Sequence, residues 1–235
     1  MNELRIARFT SSEIWKLMTD GKKAGELGKP AQTYIKAKQY ENKLQRRLNG
    51  DTFSYATSWG NFCEIFVNEN HLSPSQKRVS QDFICHPTLA HFGGSPDIVS
   101  DTVVYDIKCP FTLLSFCDLV ECLSKGIEAF KIEYPEYYWQ LISNSILTEK
   151  KRIGLIAFVP YESELINVWE LAQNYDEQPD PFQYKWIFDS KKAKLPYLID
   201  GGHYKNLNIF EFDVNETDQK ELLERIEKYS PLINL

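Results

Sequence analysis

The chain has 235 residues, 43% of them hydrophobic, and a formal net charge of −6. That length suits one α/β domain and that apolar content supplies a full core. No apolar run approaches the ~20 residues that span a bilayer, and the opening MNELRIARFTSSE lacks the apolar stretch of a secretory signal, so the expectation is a soluble, cytoplasmic protein with no membrane partner.

The acidic balance alone argues against a nucleic-acid partner, because phosphates are usually contacted by Lys and Arg. The charge is uneven, however. Residues 22–47 carry eight basic groups (Lys22, Lys23, Lys29, Lys36, Lys38, Lys43, Arg46, Arg47) against Glu26 and Glu41, a local +6 that leaves −12 for the rest. A phosphate backbone has a place to lie there. The five cysteines, Cys63, Cys85, Cys109, Cys117 and Cys122, show no C-x-x-C pair and an odd count, which reads as reduced, mostly buried thiols.

In chain order, Thr10-Ser11-Ser12-Glu13 is a capping-box pattern that predicts a helix to about Thr19. Residues 20–30, rich in Gly and Lys, predict an exposed loop. Pro30 suits the first turn of a second helix, with Tyr34, Ala37, Leu44 and Leu48 on its apolar side. A third helix is expected over 55–70, with Trp59, Cys63, Phe66 and Val67 buried and Glu64 beside that stripe. Strand patterns follow at 78–84, in parts of 89–92, at 97–99 and at 103–107, the last two joined by a turn at Ser100-Asp101-Thr102. Helical signals return at 112–124 and 135–149. Residues 153–159 and 165–171 read as strands, 186–188 and 208–212 as sheet edges, and 216–229 as a charged helix. The order predicts an α/β core with a mixed sheet flanked by helices. It is read as a single domain with a helical part over about 1–72, a core over about 73–172, and C-terminal strands and a helix over about 173–235.

The central signal is Pro96-Asp97, eight intervening residues, then Asp106-Ile107-Lys108. A tight turn between two strands brings the two carboxylates together. Asp106 and Lys108, two apart, project from one face. Paired carboxylates bind a hard divalent cation through oxygen, and the Ile107 carbonyl is a natural third ligand. Such a cation activates water and polarises a phosphodiester. Lys108 could activate that water or offset transition-state charge, and the sequence leaves both roles open.

The stretch SPDIVSDTVVYDIKCPFT resembles the core of the phage lambda exonuclease and YqaJ-like viral recombinase family of PD-(D/E)XK nucleases. Further motifs agree in order: Arg5 to Ser12 (RIARFTSS), Trp59-Gly60 with Glu64, Cys109-Pro110-Phe111-Thr112, and Tyr137-Tyr138-Trp139-Gln140 ending at Leu147-Thr148. The resemblance implies a PD-(D/E)XK, restriction-endonuclease-like fold and 5′→3′ hydrolysis of duplex DNA from its ends, leaving 3′ single strands. It implies one or two Mg²⁺ or Mn²⁺ ions on Asp97, Asp106 and the Ile107 carbonyl, and a role for Glu64 with a second ion or the attacking water. Gln140 would stand beside Lys108, and Arg5 and Ser12 would hold a 5′-phosphate. It further implies a ring-shaped homo-oligomer, a trimer, that works with a single-strand annealing recombinase, and a phage or prophage source. Two departures stand out: Asp106 replaces the family's usual Glu, and Ile142 stands where some relatives have a second Gln.

Other readings make different demands. A PD-(D/E)XK endonuclease would cut closed circles, and a RecB-like nuclease commonly carries a four-cysteine iron–sulfur set that these spacings do not support. A non-catalytic DNA- or protein-binding module would have lost an acid or the lysine. A hydrolase of small phosphate esters would fail on long duplexes. In the last third, Trp169, Tyr184, Trp186 and Tyr197 either stack on bases or pack a core, and Lys191-Lys192-Ala193-Lys194 touches phosphate or only water.

Overall fold

A computed structural model of the chain describes residues 3–23, 25–48, 53–72, 83–175 and 183–235. The chain opens with strand β1 (Phe9–Thr10) and a 3-10 helix, Ser11–Met18, followed by helices α1 (Lys29–Leu44) and α2 (Tyr55–Asn70). Strands β2 (Ile84–Cys85), β3 (Phe92–Gly94), β4 (Ile98–Val99) and β5 (Val103–Lys108) come next, then helices α3 (Leu113–Ser124), α4 (Ile127–Glu133) and α5 (Pro135–Thr148). Strand β6 (Arg152–Phe158), helices α6 (Leu165–Asn174) and α7 (Lys185–Phe188), strand β7 (Leu207–Asp213) and helix α8 (Glu216–Tyr229) complete the order.

The main sheet runs β4-β5-β6-β7 and is mixed: β5 and β6 are parallel, and the outer pairs are antiparallel. Alternation along β5 sends its residues into two separate cores. Val104 points with Leu155 toward α3, α5 and α8, while Val103, Tyr105 and Ile107 join Trp59, Phe62, Phe66 and Val168 from α2 and α6. The sheet is therefore covered by helices on both faces. A second small sheet, β1-β3-β2, ends at Gly94, where a β-carbon would fall 1.9 Å from Ser11 Oγ. Only glycine permits that approach, and it sets the chain up for Ser95-Pro96-Asp97.

Local chemistry explains the helix starts. Ser54 Oγ accepts the Thr57 N–H at 3.0 Å and Thr112 Oγ1 accepts the Ser115 N–H at 3.2 Å. Pro30 and Pro135 occupy first turns, where no N–H is missed.

The structure corrects several expectations. Residues 165–171 are helical, because Leu165, Val168 and Ala172 bury one face at helical spacing. Residues 186–188 belong to the short helix α7. Thr10 caps nothing with its side chain, and the segment it begins is a 3-10 helix. Leu44, the last residue of α1, and Leu48, beyond the helix, are exposed; the buried face of α1 is Ala31, Tyr34, Ile35, Lys38 and Glu41. Helix α4 was not anticipated from the sequence. Of the strand expected at 78–84, residues 78–82 lie outside the described residues. The cysteines are all free, with Cys63, Cys109 and Cys122 buried. No helix among the described residues is long and apolar enough to cross a membrane.

Candidate active site

The turn at Asp101-Thr102 lets β4 fold back on β5, pairing Ile98 with Tyr105 and Val99 with Val104. Continued one step, that register carries Asp97 to the level of Asp106. Asp97 Oδ2 accepts the Ile107 N–H at 2.7 Å, which fastens the first acid to the strand bearing the second. Asp106 is buried and Lys108 half-buried, and their side chains share a face: Lys108 Nζ lies 2.5 Å from Asp106 Oδ2.

Helix α5 crosses the same face and contributes Gln140. Its Nε2 donates to Asp106 Oδ1 at 2.6 Å, and its Oε1 accepts from Lys108 Nζ at 3.3 Å. One amide thus bridges the carboxylate and the ammonium, with the orientation of both fixed. Tyr137, three residues earlier on the same helix face, places its ring 4.9 Å from Lys108 Nζ. The motif Tyr137-Tyr138-Trp139-Gln140 by itself gives Tyr137 no role, although its i, i+3 relation to Gln140 puts the two on one helix face. Ile142, at the position of a second Gln in some relatives, is fully buried in the core.

Glu64 enters from α2, which packs on the opposite layer, and is half-buried. Its charge is felt by both Asp97 and Lys108. Burial, then Asp106 and Glu64, push the Asp97 carboxyl well above the ordinary carboxylate range, against the pull of Lys108 and the Ile107 N–H. Burial works against the Lys108 charge, but Asp106, Asp97 and Glu64 outweigh it and raise the ammonium above the usual lysine range.

Among the described residues, no three His, Cys, Asp or Glu side chains form a ready-made metal cage. The donors nevertheless suit a hard cation. Asp106 Oδ2 is buried and has no hydrogen bond of proper angle, so its contact with Lys108 is an ion pair by distance only. Asp106 and Glu64 both disfavour the charge of Asp97, and a divalent ion bound among them would relieve this. Asp97, Asp106 and the Ile107 carbonyl would hold it, with Glu64 alongside.

A separate hollow of about 610 Å³ lies on the N-terminal helices, with Arg5, Ser12, Lys16, Lys29 and Arg47 among its lining residues. Ser12 is exposed at the start of the 3-10 helix. Arg5 Nη2 donates to Ser95 Oγ at 3.0 Å, two residues before Asp97, so the hollow is tied to the loop that carries the first acid. Lys38 differs from the other basic residues of 22–47: it is buried and paired with Glu41 at 3.0 Å. Glu41 also accepts the Ala7 N–H, so the pair belongs to the scaffold.

No family model matches the sequence, and no curated protein matches it either. Solved structures do. An exonuclease, LHK-Exo, in complex with dAMP superposes with a TM-score of 0.64 at 15% identity, over 98% of this chain and 90% of that one. The alkaline exonuclease LHK-Exo from Laribacter hongkongensis gives 0.60 at 16%, over 97% of this chain and 89% of that one. A phage-related exonuclease from Haemophilus somnus 129PT gives 0.56 at 13%, over 97% and 92%. The chain therefore has the α/β fold of these exonucleases, with a mixed sheet flanked by helices, in agreement with the PD-(D/E)XK architecture that the motifs implied.

Proposed function

We propose that the chain is a metal-dependent nuclease of the lambda exonuclease and YqaJ-like kind, which digests duplex DNA 5′→3′ from its ends and leaves a 3′ single strand. The observation that carries this reading is the convergence of Asp97, Asp106, Lys108 and Gln140 at one strand end, in a fold shared with exonucleases. Mg²⁺ or Mn²⁺, one or two ions per site, would polarise the phosphodiester and lower the pKa of water. Asp97 and Asp106 would supply the charge that holds the ion, and Lys108, on the same face of the strand, would offset the charge that the phosphate gains in the transition state. Gln140 would keep Lys108 aimed, and Glu64, whose charge reaches both Asp97 and Lys108, would orient water.

Arg5 offers a charge that persists at any working pH and a planar fork for a terminal phosphate. With Ser12 and the lysines of the hollow it makes the proposed 5′-phosphate site, and this is the basis of the polarity. We further propose a homotrimeric ring around the duplex, whose product passes to a single-strand annealing recombinase. The expected setting is the cytoplasm of a bacterial host. A −6 subunit has little hold on DNA alone, whereas a ring gathers its basic groups around the duplex.

The decisive experiment incubates the protein with linear duplex labelled at either end, with Mg²⁺ or with chelator, beside a covalently closed circle. Loss of the 5′ label first, only with metal and only on linear DNA, is the expected result. Cutting of the circle would make the chain an endonuclease, and persistence in chelator would remove the metal. Light scattering that gives a monomer with long processive runs would remove the ring.

A further inference from the structure

A surface on the α2 side of the sheet takes no part in this chemistry. Five aromatic rings run outward in contact from beside the site. Trp59 meets Phe111 at 6.1 Å, Phe111 meets Trp186 at 6.1 Å, Trp186 meets Tyr55 at 4.7 Å, and Tyr55 meets Phe53 at 5.5 Å. Its inner end is close to the site along the chain: Phe111 follows Lys108 by three residues, and Trp59 shares helix α2 with Glu64. It ends in water, with Tyr55 57% and Phe53 64% exposed. Neighbouring aromatics left in solvent forgo the burial that normally stabilises them. The rings are also held in place, since Trp186 Nε1 donates to Ser58 Oγ at 2.8 Å.

Beside them opens a groove of about 600 Å³, with Tyr55, Phe111, Trp186, Lys191 and Lys194 among its lining residues. The charges there sort by pairing. Lys192 is bound to Glu162, and Asp189, also on the groove, is bound to Lys185 at 2.5 Å. Lys191 and Lys194 are exposed and make no ion pair among the described residues. The groove thus offers π faces next to two exposed cations with no ion pair among the described residues. This complements an unpaired polynucleotide, whose bases expose their faces and whose backbone is anionic. A closed duplex hides those faces.

We propose that this groove binds single-stranded DNA beside the active site, with bases stacked on Tyr55 and Trp186 and phosphates on Lys191 and Lys194. The choice of ligand rests on the nuclease reading; the groove does not need its chemistry. The test is equilibrium binding in chelator of a 5′-hydroxyl thymidine oligomer, followed by tryptophan fluorescence and by filter retention, beside an abasic oligomer of equal length. The wild type should bind the thymidine oligomer with quenched fluorescence and the abasic one about a hundredfold more weakly, the size of two lost base stacks. Tyr55→Ala, which removes one of them, should weaken thymidine binding about tenfold, and Trp186→Phe should remove most of the quenching while keeping the fold. Lys191→Ala and Lys194→Ala should each flatten the slope of log affinity against log salt by about 0.7. Lys192→Ala should leave it unchanged. Equal affinity for the two oligomers, or wild-type binding by Tyr55→Ala, overturns the proposal. So does a change of mass in solution in Tyr55→Ala with oligomer binding intact, which would make the groove a protein interface. Digestion of linear duplex by the wild type is measured separately. Digestion without base-dependent binding sinks the groove alone, and base-dependent binding without digestion sinks the nuclease reading alone.

Discussion

The carboxylate cluster and the basic hollow meet at one loop but are built in opposite ways. Asp106 is buried on a strand with neighbours on both edges, and each of its oxygens faces a named partner, Gln140 or Lys108. The hollow is formed by side chains from the 3-10 helix and α1, and Ser12 and Lys29 are exposed. A rigid, desolvated cluster concentrates its effect in single groups, because each charge acts in a low dielectric on the reacting atoms. A solvated hollow spreads its effect over several cations, each screened by water and salt. Losses in the first should be steep, and losses in the second graded.

The steepest loss is expected at the acids. Asp106→Asn or Asp97→Asn should lower the rate on linear duplex by about 10³-fold or more, as should chelation of the metal. Circular dichroism should show the fold retained. A wild-type rate in either variant would erase the contrast between the two regions.

The next test separates scaffold from recognition within α1. Lys38→Met breaks a buried pair and leaves Glu41 uncompensated, at a cost of about 3–5 kcal/mol in urea unfolding. Lys29→Ala, on the same helix but exposed, should cost within about 0.5 kcal/mol and act only on DNA affinity. Equal stability of the two variants would put Lys38 in solvent.

Gln140→Ala should reduce turnover by about 10–100-fold, the usual range for a group that orients reacting residues. A raised KM with unchanged kcat would instead make Gln140 a contact for bound DNA.

The smallest effect belongs to the hollow. The wild type should digest 5′-phosphate ends faster than 5′-hydroxyl ends, and Arg5→Ala should lose about tenfold of that preference. Its rate on 5′-hydroxyl ends should stay close to that of the wild type. Equal rates on both ends for the wild type would remove the phosphate site and reopen the direction of digestion.

Where the chain's own periodicity carried the information, the reading from residues matched the molecule. Asp106 and Lys108 share a face because β side chains alternate, and the turn at Ser100-Asp101-Thr102 brings Asp97 alongside. The buried stripe of α2 was legible for the same reason. Residues 165–171 failed because a short apolar run fits both periods, and only the packing of Val168 against the sheet's second face chooses the helix. Lys38 was counted as a surface charge because composition cannot tell that Glu41 will be buried with it.

The sequence alone, then, determined which acids and which lysine stand together, since those contacts lie within a single hairpin of the chain. Only the tertiary structure decided that Gln140 bridges them, that Glu64 arrives from the other layer, and that Phe53, Tyr55, Phe111 and Trp186 form one run. Apart from the Phe53–Tyr55 contact, these join residues far apart in sequence, and they exist because both faces of the sheet must be covered by helices whose docking no local pattern encodes.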